Sequence, residues 1–246
     1  EYHKLGIGIG AGLSLGREGP SIQLGAVSAQ GISRMLKRTR MEERYLMTSG
    51  ASAGLAAAFN APLAGVMFAL EELHRSFSIV VLLPSMAAAF TATFLSRFLF
   101  GRAPIFNIPD LAILHTEDLG VIILVAIAAG TCGVFFNKGL LNVNRFYALP
   151  FFKSSFHKIG FALFCAGVLG FYLPEVLGGG NNLINQLANN PAPLNMLLLF
   201  LAGKLVFTFI SYGCGVPGGF FLPMLVIGAL TGSVISNLLV AGGIIE

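Results

Sequence analysis

Tryptophan is absent from the 246 residues, cysteine occurs three times, and Asp, Glu, Lys and Arg together make up only 11% of the chain. Each shortage excludes something. Soluble domains carry roughly 25% charged residues, so so few charges cannot clothe a water-exposed globule. With 55% hydrophobic residues and a mean hydropathy of +0.81, the class that remains is a polytopic membrane protein. Without Trp, an aromatic belt at the membrane interfaces must be built from Tyr and Phe. Cys132, Cys165 and Cys214 lie in separate apolar segments, with neither metal-ligand spacing nor the even number of a disulfide framework. They read as small buried hydrophobes. His3, His74, His115 and His157 stand near segment ends and make no ligand pattern, so no metal or other cofactor is expected. The net charge of +4 is dispersed and gives no argument for a nucleic-acid partner. No signal peptide is visible at the start. The chain begins and ends close to apolar sequence, which leads us to expect a piece of a longer protein.

What is plentiful is glycine, with 31 residues, as suits helices that pack closely through small side chains. The run Gly6-Ile7-Gly8-Ile9-Gly10-Ala11 loosely matches a dinucleotide-binding fingerprint, but no soluble strand precedes it, and close packing is the better account. Hydropathy divides the rest into full and partial spans. A helix of about 16 residues from Pro20 to Met35 is roughly 24 Å long, short of the ~30 Å hydrocarbon core. Arg34, Lys37, Arg38, Arg40 and Arg44 follow it, and by the positive-inside rule this loop is cytoplasmic. Tyr45–Phe59 and Leu63–Leu73 flank an Asn60-Ala61-Pro62 break and read as a re-entrant hairpin. It returns Glu71, Glu72 and Arg75 to the side of the basic loop. Ser78–Phe100 crosses outward, the acidic loop Gly101–Asp118 is external, and Leu119–Leu141 crosses back towards Lys138, Arg145, Lys153 and Lys158. A half-length helix is expected over Ile159–Tyr172, then a break at residues 178–182, an amphipathic piece and a helix over Leu194–Tyr212. A second break with Pro217 precedes a last helix from Phe221 towards Val240. Lys204, within an apolar helix, is expected to snorkel towards an interface. Broken helices of this kind survive in lipid only where protein or a watery path satisfies the loosened backbone, and transporters are built this way.

The stretch that organises this scaffold is Gly16-Arg17-Glu18-Gly19-Pro20. Charges inside an apolar run are expensive and usually functional. Pro20 suits the first helical position, which places Glu18 just ahead of a helix N-terminus, where amides and the macrodipole favour negative charge. That makes an anion site with a carboxylate tethered at its mouth. Arg17 reads as structural, offsetting local charge. The same spelling returns late in the chain: residues 16–26 and 219–229 both read Gly-x-x-x-Pro-x-x-x-x-Gly-Ala. Two such helix starts aimed at one point would surround an anion with backbone amides.

Taken together, Gly16-Arg17-Glu18-Gly19-Pro20, residues 54–65 (GLAAAFNAPLAG) with Glu71-Glu72, and Gly218-Gly219-Phe220-Phe221-Leu222-Pro223 resemble the CLC family of chloride channels and chloride/proton exchangers, in the family's order and spacing. The resemblance implies an all-α polytopic membrane fold, an inverted-repeat bundle of tilted, broken and re-entrant helices. Residues 1–117 would be the C-terminal part of the first repeat and residues 118–246 the N-terminal part of the second. It implies a homodimer in the lipid bilayer of the cell (plasma or inner) membrane, with chloride and protons as the transported ions. Glu18 matches the gating glutamate, whose protonation frees an anion site. Amides around Glu18, Gly19, Phe220 and Phe221 would line the chloride path, with Gly16, Arg17, Pro20, Gly219 and Pro223 supporting the two motifs. Glu72 matches the internal proton-transfer glutamate of many exchangers.

The function this implies is exchange of chloride against protons, with Glu18 leaving its anion site when protonated and Glu72 relaying protons from the cytoplasm. A passive, pH-gated chloride channel of the same fold is the alternative. Pro20, which completes the chloride-type motif, argues against a fluoride exporter. An intramembrane enzyme built on Glu18 and Glu72 lacks a Ser/His pair, a metal-ligand pair and paired aspartates. A purely structural truncated subunit is the last reading. The family's N-terminal serine loop and late pathway tyrosine would fall outside the 246 residues.

Overall fold

The computed structural model describes residues 10–101, 119–152, 154–189 and 192–243. Of the sequence expectations, the glycines at 6–9, most of the acidic loop, Lys153, His3 and His115 lie outside them. Contacts divide the chain into two compact units, residues 17–101 and residues 10–16 with 119–243 among those described. Among the described residues the structure is helical, with no strand and a single isolated β-bridge between Gly16 and Gly219.

The unit of residues 17–101 is built from α1 (Glu18–Met35), α2 (Arg40–Phe59), α3 (Pro62–Phe68) and α4 (Ile79–Phe100). A tight turn joins α1 to α2 with Lys37 in the left-handed region at φ 51°. Thr39 then caps α2: its hydroxyl accepts from the Glu42 amide at 3.4 Å, and the Glu42 carboxylate accepts from the Thr39 amide at 2.9 Å. This reciprocal cap, worth about 1 kcal/mol, starts α2 at Arg40 rather than at the expected Tyr45. The basic residues of the loop therefore continue as helix. Arg34 and Gln30 of α1 both donate to the Glu43 carboxylate, closing the pair at that end. Along its length the α1–α2 seam is made of small residues one turn apart. A Cβ built on Gly25 would fall on the Gly50 carbonyl oxygen, and one on Gly54 would fall on the Ser21 carbonyl oxygen. Backbones this close are the small-xxx-small packing of membrane helices. α2 ends at Asn60, which takes the left-handed conformation at φ 55°. α3 follows with Pro62 at its first position, where the missing N–H costs nothing. Ala56, Val66, Leu70, Val81 and Ala89 form the core between α2, α3 and α4.

The other unit holds α5 (Leu119–Phe146), α6 (Ser155–Tyr172), α7 (Asn181–Asn189), α8 (Leu194–Gly213) and α9 (Phe221–Ala241). α5 runs five residues beyond the expected Leu141. α6 is a full 18-residue helix and not the half-length piece expected from Ile159. Its start is set by Ser154, whose hydroxyl accepts from the Phe156 amide, so the polar turn Ser155–Lys158 joins the helix. Leu13, Leu15, Phe200, Phe207, Val226 and Leu230 are among the residues of the main core, and Phe136, Leu140 and Ile227 tie α5 to α9. By length and composition, α4, α5, α6, α8 and α9 are each able to cross a membrane. The apolar side chains on their outer faces are the lipid-facing surface of a multi-pass membrane protein.

The seam and the cap each carry a test. Gly25→Ala drives a methyl into the Gly50 carbonyl and is expected to cost about 1–3 kcal/mol, seen as a lower melting temperature in detergent. Gly31→Ala on the same helix meets open space, so its melting temperature is expected to be unchanged or slightly higher. The amide of Thr39, accepted by the Glu42 carboxylate, holds that group below the usual carboxylate range. A depressed value means the cap's contribution is complete above the unfolded value and is lost as the pH falls through the lowered one. The hydrogen-exchange protection factors at the first turn of α2, with the intrinsic pH dependence of exchange divided out, are expected to fall on acidification through that window and to stay level in Glu42→Gln.

Candidate functional site

In the unit of residues 17–101, Arg17 is the N-cap of α1, with φ −86° and ψ −8°, and Glu18 is the first helical residue. The helix therefore begins two residues before the expected Pro20, which occupies the third position. The physical reason is that a helix satisfies none of its first-turn N–H groups internally, so proline is tolerated throughout that turn and marks the first position only by preference. The Ser21 amide makes the first internal bond, to the Arg17 carbonyl at 3.0 Å. Glu18 is 4% exposed. A carboxylate at this place meets the positive end of the α1 dipole. Beside it, Arg17 Nη2 donates to the Ala58 carbonyl of α2 at 3.3 Å. Arg97 of α4 donates to the Asn60 Oδ1 at 2.6 Å and to the Asn60 carbonyl at 3.4 Å. Two guanidiniums thus serve the carbonyl end of α2, where cations are favoured.

Glu72 lies in the same unit, on a stretch that the sequence did not betray. Residues Ala69–His74 continue α3 as a π-helix, ending at Arg75 with φ 53°. The widened turn needs no distinctive residue, and such insertions are frequent at functional sites. Glu72 is exposed there. The His74 ring packs on Tyr45 at 5.5 Å between centroids, so the end of this segment sits beside the first turns of α2, the end that carries the basic loop. Arg17 meets α2 at Ala58, thirteen residues on. At 1.5 Å per residue the two contacts are about 20 Å apart along α2. Glu18 follows one contact and Glu72 precedes the other, so the buried and the exposed carboxylate belong to opposite ends of one helix.

The second motif belongs to the other unit. The Gly16 amide donates to the Gly219 carbonyl at 2.6 Å, and the Gly219 amide donates back at 2.9 Å. This is an antiparallel bridge. Gly218 faces Leu15 so closely that a Cβ would stand 2.8 Å from the leucine's own. Phe220 is the N-cap of α9, with φ −105° and ψ −1°, Phe221 is the first helical residue and Pro223 the third. The offsets from glycine to cap, helix start and proline are those of Gly16, Arg17, Glu18 and Pro20. The repeated spelling is therefore a repeated backbone. Proline in third place has a use here: it offers no N–H to the carbonyl four residues before it, which for Pro20 is the Gly16 oxygen that accepts from Gly219. The Phe220 ring packs against Tyr212 and Phe136, which fixes the residue whose peptide opens α9.

Lys204 overturns the snorkelling expectation. It is 0% exposed, with Nζ donating to the Val176 carbonyl at 2.8 Å and to the Gly178 carbonyl at 2.6 Å. The break over residues 174–180 supplies carbonyls that no helix uses, and the ammonium takes them instead of reaching for water. One turn on, the Thr208 hydroxyl donates to the Lys204 carbonyl at 2.6 Å, so the 2.8 Å bond between Thr208 Oγ1 and Ser14 Oγ is donated by Ser14. The Ser14 amide donates to Ser211 Oγ at 3.0 Å. Lys204, Thr208 and Ser211 recur on one face of α8 and hold two irregular segments, 12–16 and 174–180. Fixed spacing of polar residues within an apolar helix was the signal available for this seam.

Three comparisons with known proteins bear on the chain. The family model described as voltage gated chloride channel matches residues 4–244. The H(+)/Cl(-) exchange transporter ClcA of Vibrio cholerae is 34% identical over 234 residues, covering 91% of this chain and 49% of that protein. Its counterpart in Salmonella agona is 35% identical over 234 residues, with 92% and 49% coverage. The chain thus spans about half the length of the curated relatives it matches. Among solved structures, a slow cyanobacterial Cl-/H+ antiporter superposes with a TM-score of 0.86 at 30% identity, over 96% of this chain and 56% of that one. A CLC-type fluoride/proton antiporter gives 0.76 at 30% identity, over 95% and 58%.

Proposed function

As the chain belongs to the voltage gated chloride channel (CLC) family, we propose that it is the central part of a secondary active transporter that exchanges chloride for protons. The observation that carries this reading is Glu18, a carboxylate 4% exposed at the first position of a helix. As an anion it competes with chloride for a place that helix-start amides favour. On protonation it loses that attraction and yields the place. One group then serves both ions, and each chloride that enters depends on a proton taken up. Chloride is bound by amides at helix starts, those around Glu18 and Gly19 in one unit and those of Phe220 and Phe221 in the other. Arg17 and Pro20, and Gly16, Gly219 and Pro223, shape these starts without touching the ion through their side chains. Glu72 passes protons between Glu18 and the side of the basic loop, by a route separate from chloride. Its exposure and its distance of about 20 Å from the gate end of α2 suit a group that collects protons from water.

The transported anion is proposed as chloride because the curated relatives and the structural neighbour at TM-score 0.86 are named for it. Residues 1–117 then belong to the first membrane repeat and residues 118–246 to the second. The complete protein works as a homodimer in the cell membrane and carries out no covalent chemistry. A passive, pH-gated chloride channel is the second reading, and the acidic Glu72 on its π-helical segment is the observation set against it.

Proton movement driven only by a chloride gradient, in liposomes holding the purified full-length protein, tests the choice. Uphill proton pumping is expected in the parent. Glu72→Gln is expected to lose it and keep chloride flux. Glu18→Gln is expected to pass chloride with no dependence on pH. Proton pumping that persists in Glu18→Gln sinks the mechanism, and chloride flux without proton movement in the parent makes the protein a channel.

A further inference from the structure

We propose that Lys204 is a positioning residue for ion transport: its buried ammonium clamps the Val176 and Gly178 carbonyls and so fixes the Gly16–Gly219 bridge from which α9 starts. The inference rests on the transport reading above and goes beyond it, since Lys204 belongs to neither anion motif.

The path of restraint is continuous within one unit. Lys204 Nζ holds two carbonyls of the 174–180 break at 2.8 and 2.6 Å. The Gly178 amide, in the same turn, donates to the Gly12 carbonyl at 2.8 Å. Gly12 sits at φ +83° with the Leu177 side chain against it. Two residues on, Ser14 is bonded by both amide and hydroxyl to Ser211 and Thr208, the next two polar positions of the α8 face that carries Lys204. Leu13 and Leu15, to either side, are buried in the core. Gly16 then exchanges two bonds with Gly219, the residue before the α9 cap. Within residues 12–16, Gly12 is thereby tied to the 174–180 break, Ser14 to α8 and Gly16 to Gly219, and among the described residues Lys204 is the member of the polar α8 face bonded to that break.

Three further features argue that this is a built clamp and not a stray charge. Gly180, at φ +93°, leaves room for the amine, because a Cβ there would stand 3.2 Å from Nζ. Gly179 is pressed to the Leu222 side chain, so the same break touches the first turn of α9 directly. A lysine in an apolar helix with merely packing to do is replaceable by Leu or Met, whereas here both acceptors are main-chain carbonyls of an irregular segment. Removing the ammonium leaves the buried Val176 carbonyl and the half-buried Gly178 carbonyl to seek partners, and the turn must shift to find them. Displacements of that order at a binding site cost far more than the contact itself.

The test uses the full-length protein in liposomes, with Lys204→Met, Lys204→Gln and the exposed Lys138→Met as control. Lys204→Met keeps the stem and loses both bonds, and is expected to lower chloride turnover per folded molecule about a hundredfold. Gln has a stem one atom shorter and reaches one carbonyl at most, so about a tenfold loss is expected, which is partial rescue relative to Met. In both, the pH profile of chloride flux is expected to move, because the anion site competes with a titrating carboxylate. Lys138→Met is expected to match the parent. If Lys204→Met does not accumulate as folded protein, Lys204→Gln decides alone. A variant that melts earlier yet shows parental turnover and pH profile overturns the inference, since that is the mark of a residue with a stability role only. If the parent itself moves no chloride, the transport reading fails instead, and the clamp remains readable as faster hydrogen exchange over residues 12–16 in the variants. Unchanged exchange there overturns it on structural grounds.

Discussion

Two hydrogen bonds exchanged between Gly16 and Gly219 are the constraint from which the rest of the structure can be read. In lipid a broken helix is tolerable only if its loosened backbone finds partners inside the protein. A single antiparallel bridge satisfies two amides and two carbonyls at once, at the two places where the chain must break to open a helix. An antiparallel pair has a local two-fold relation between its residues. The Arg17 and Phe220 caps, the Glu18 and Phe221 starts and the third-place prolines repeat on either side of it at matching offsets. The absence of a side chain at Gly218 lets the two strands approach, since a Cβ there would stand 2.8 Å from that of Leu15.

The bridge in turn depends on what anchors its two strands. One strand is held by the polar face of α8, through Ser14, Thr208 and Ser211, and by the Gly178–Gly12 bond that Lys204 stabilises from behind. Charge-assisted bonds contribute about 1.5–3 kcal/mol each, so the two at Lys204 return some of the several kcal/mol that burying an ion costs. Main-chain acceptors suit this task because their positions are fixed by the fold. A carboxylate partner would have neutralised the charge as well. Carbonyls leave the cation's field in place, in a protein whose relatives are named for moving an anion.

Much of this was legible beforehand, and the exceptions have physical reasons. The spans over Ser78–Phe100, Leu194–Tyr212 and Phe221 onward were readable because hydropathy follows the lipid contact that selects them. The break at Asn60-Ala61-Pro62 was readable because left-handed Asn and helix-starting Pro are local chemistry. Helix starts were placed less well. Pro20 was read as the first position when it is the third, and Tyr45 was read as a start although Thr39 with Glu42 writes a capping box five residues earlier. The π-helix over Ala69–His74 has no local signature, since an inserted residue is accommodated by neighbouring packing and not by its own side chain. Lys204 failed for the opposite reason. Snorkelling is what a lysine does when its surroundings are apolar throughout, and the carbonyls that change the outcome come from a segment more than twenty residues away in sequence.

Two buried charges among the described residues, Lys204 and Glu18, are accommodated in different ways. Lys204 is met by two carbonyls within 2.8 Å, short bonds with defined directions, and leaving them would expose all three groups to an apolar interior. Glu18 stands at the start of α1, where the summed peptide dipoles of the first turn favour negative charge. A field of that kind stabilises whatever anion occupies the position and does not require a particular side chain to stay. In the exchange proposed above, the carboxylate and a chloride would compete for that position, and the proton that neutralises the carboxylate would decide between them. Directional bonds make an anchor, and a dipolar helix start makes a seat.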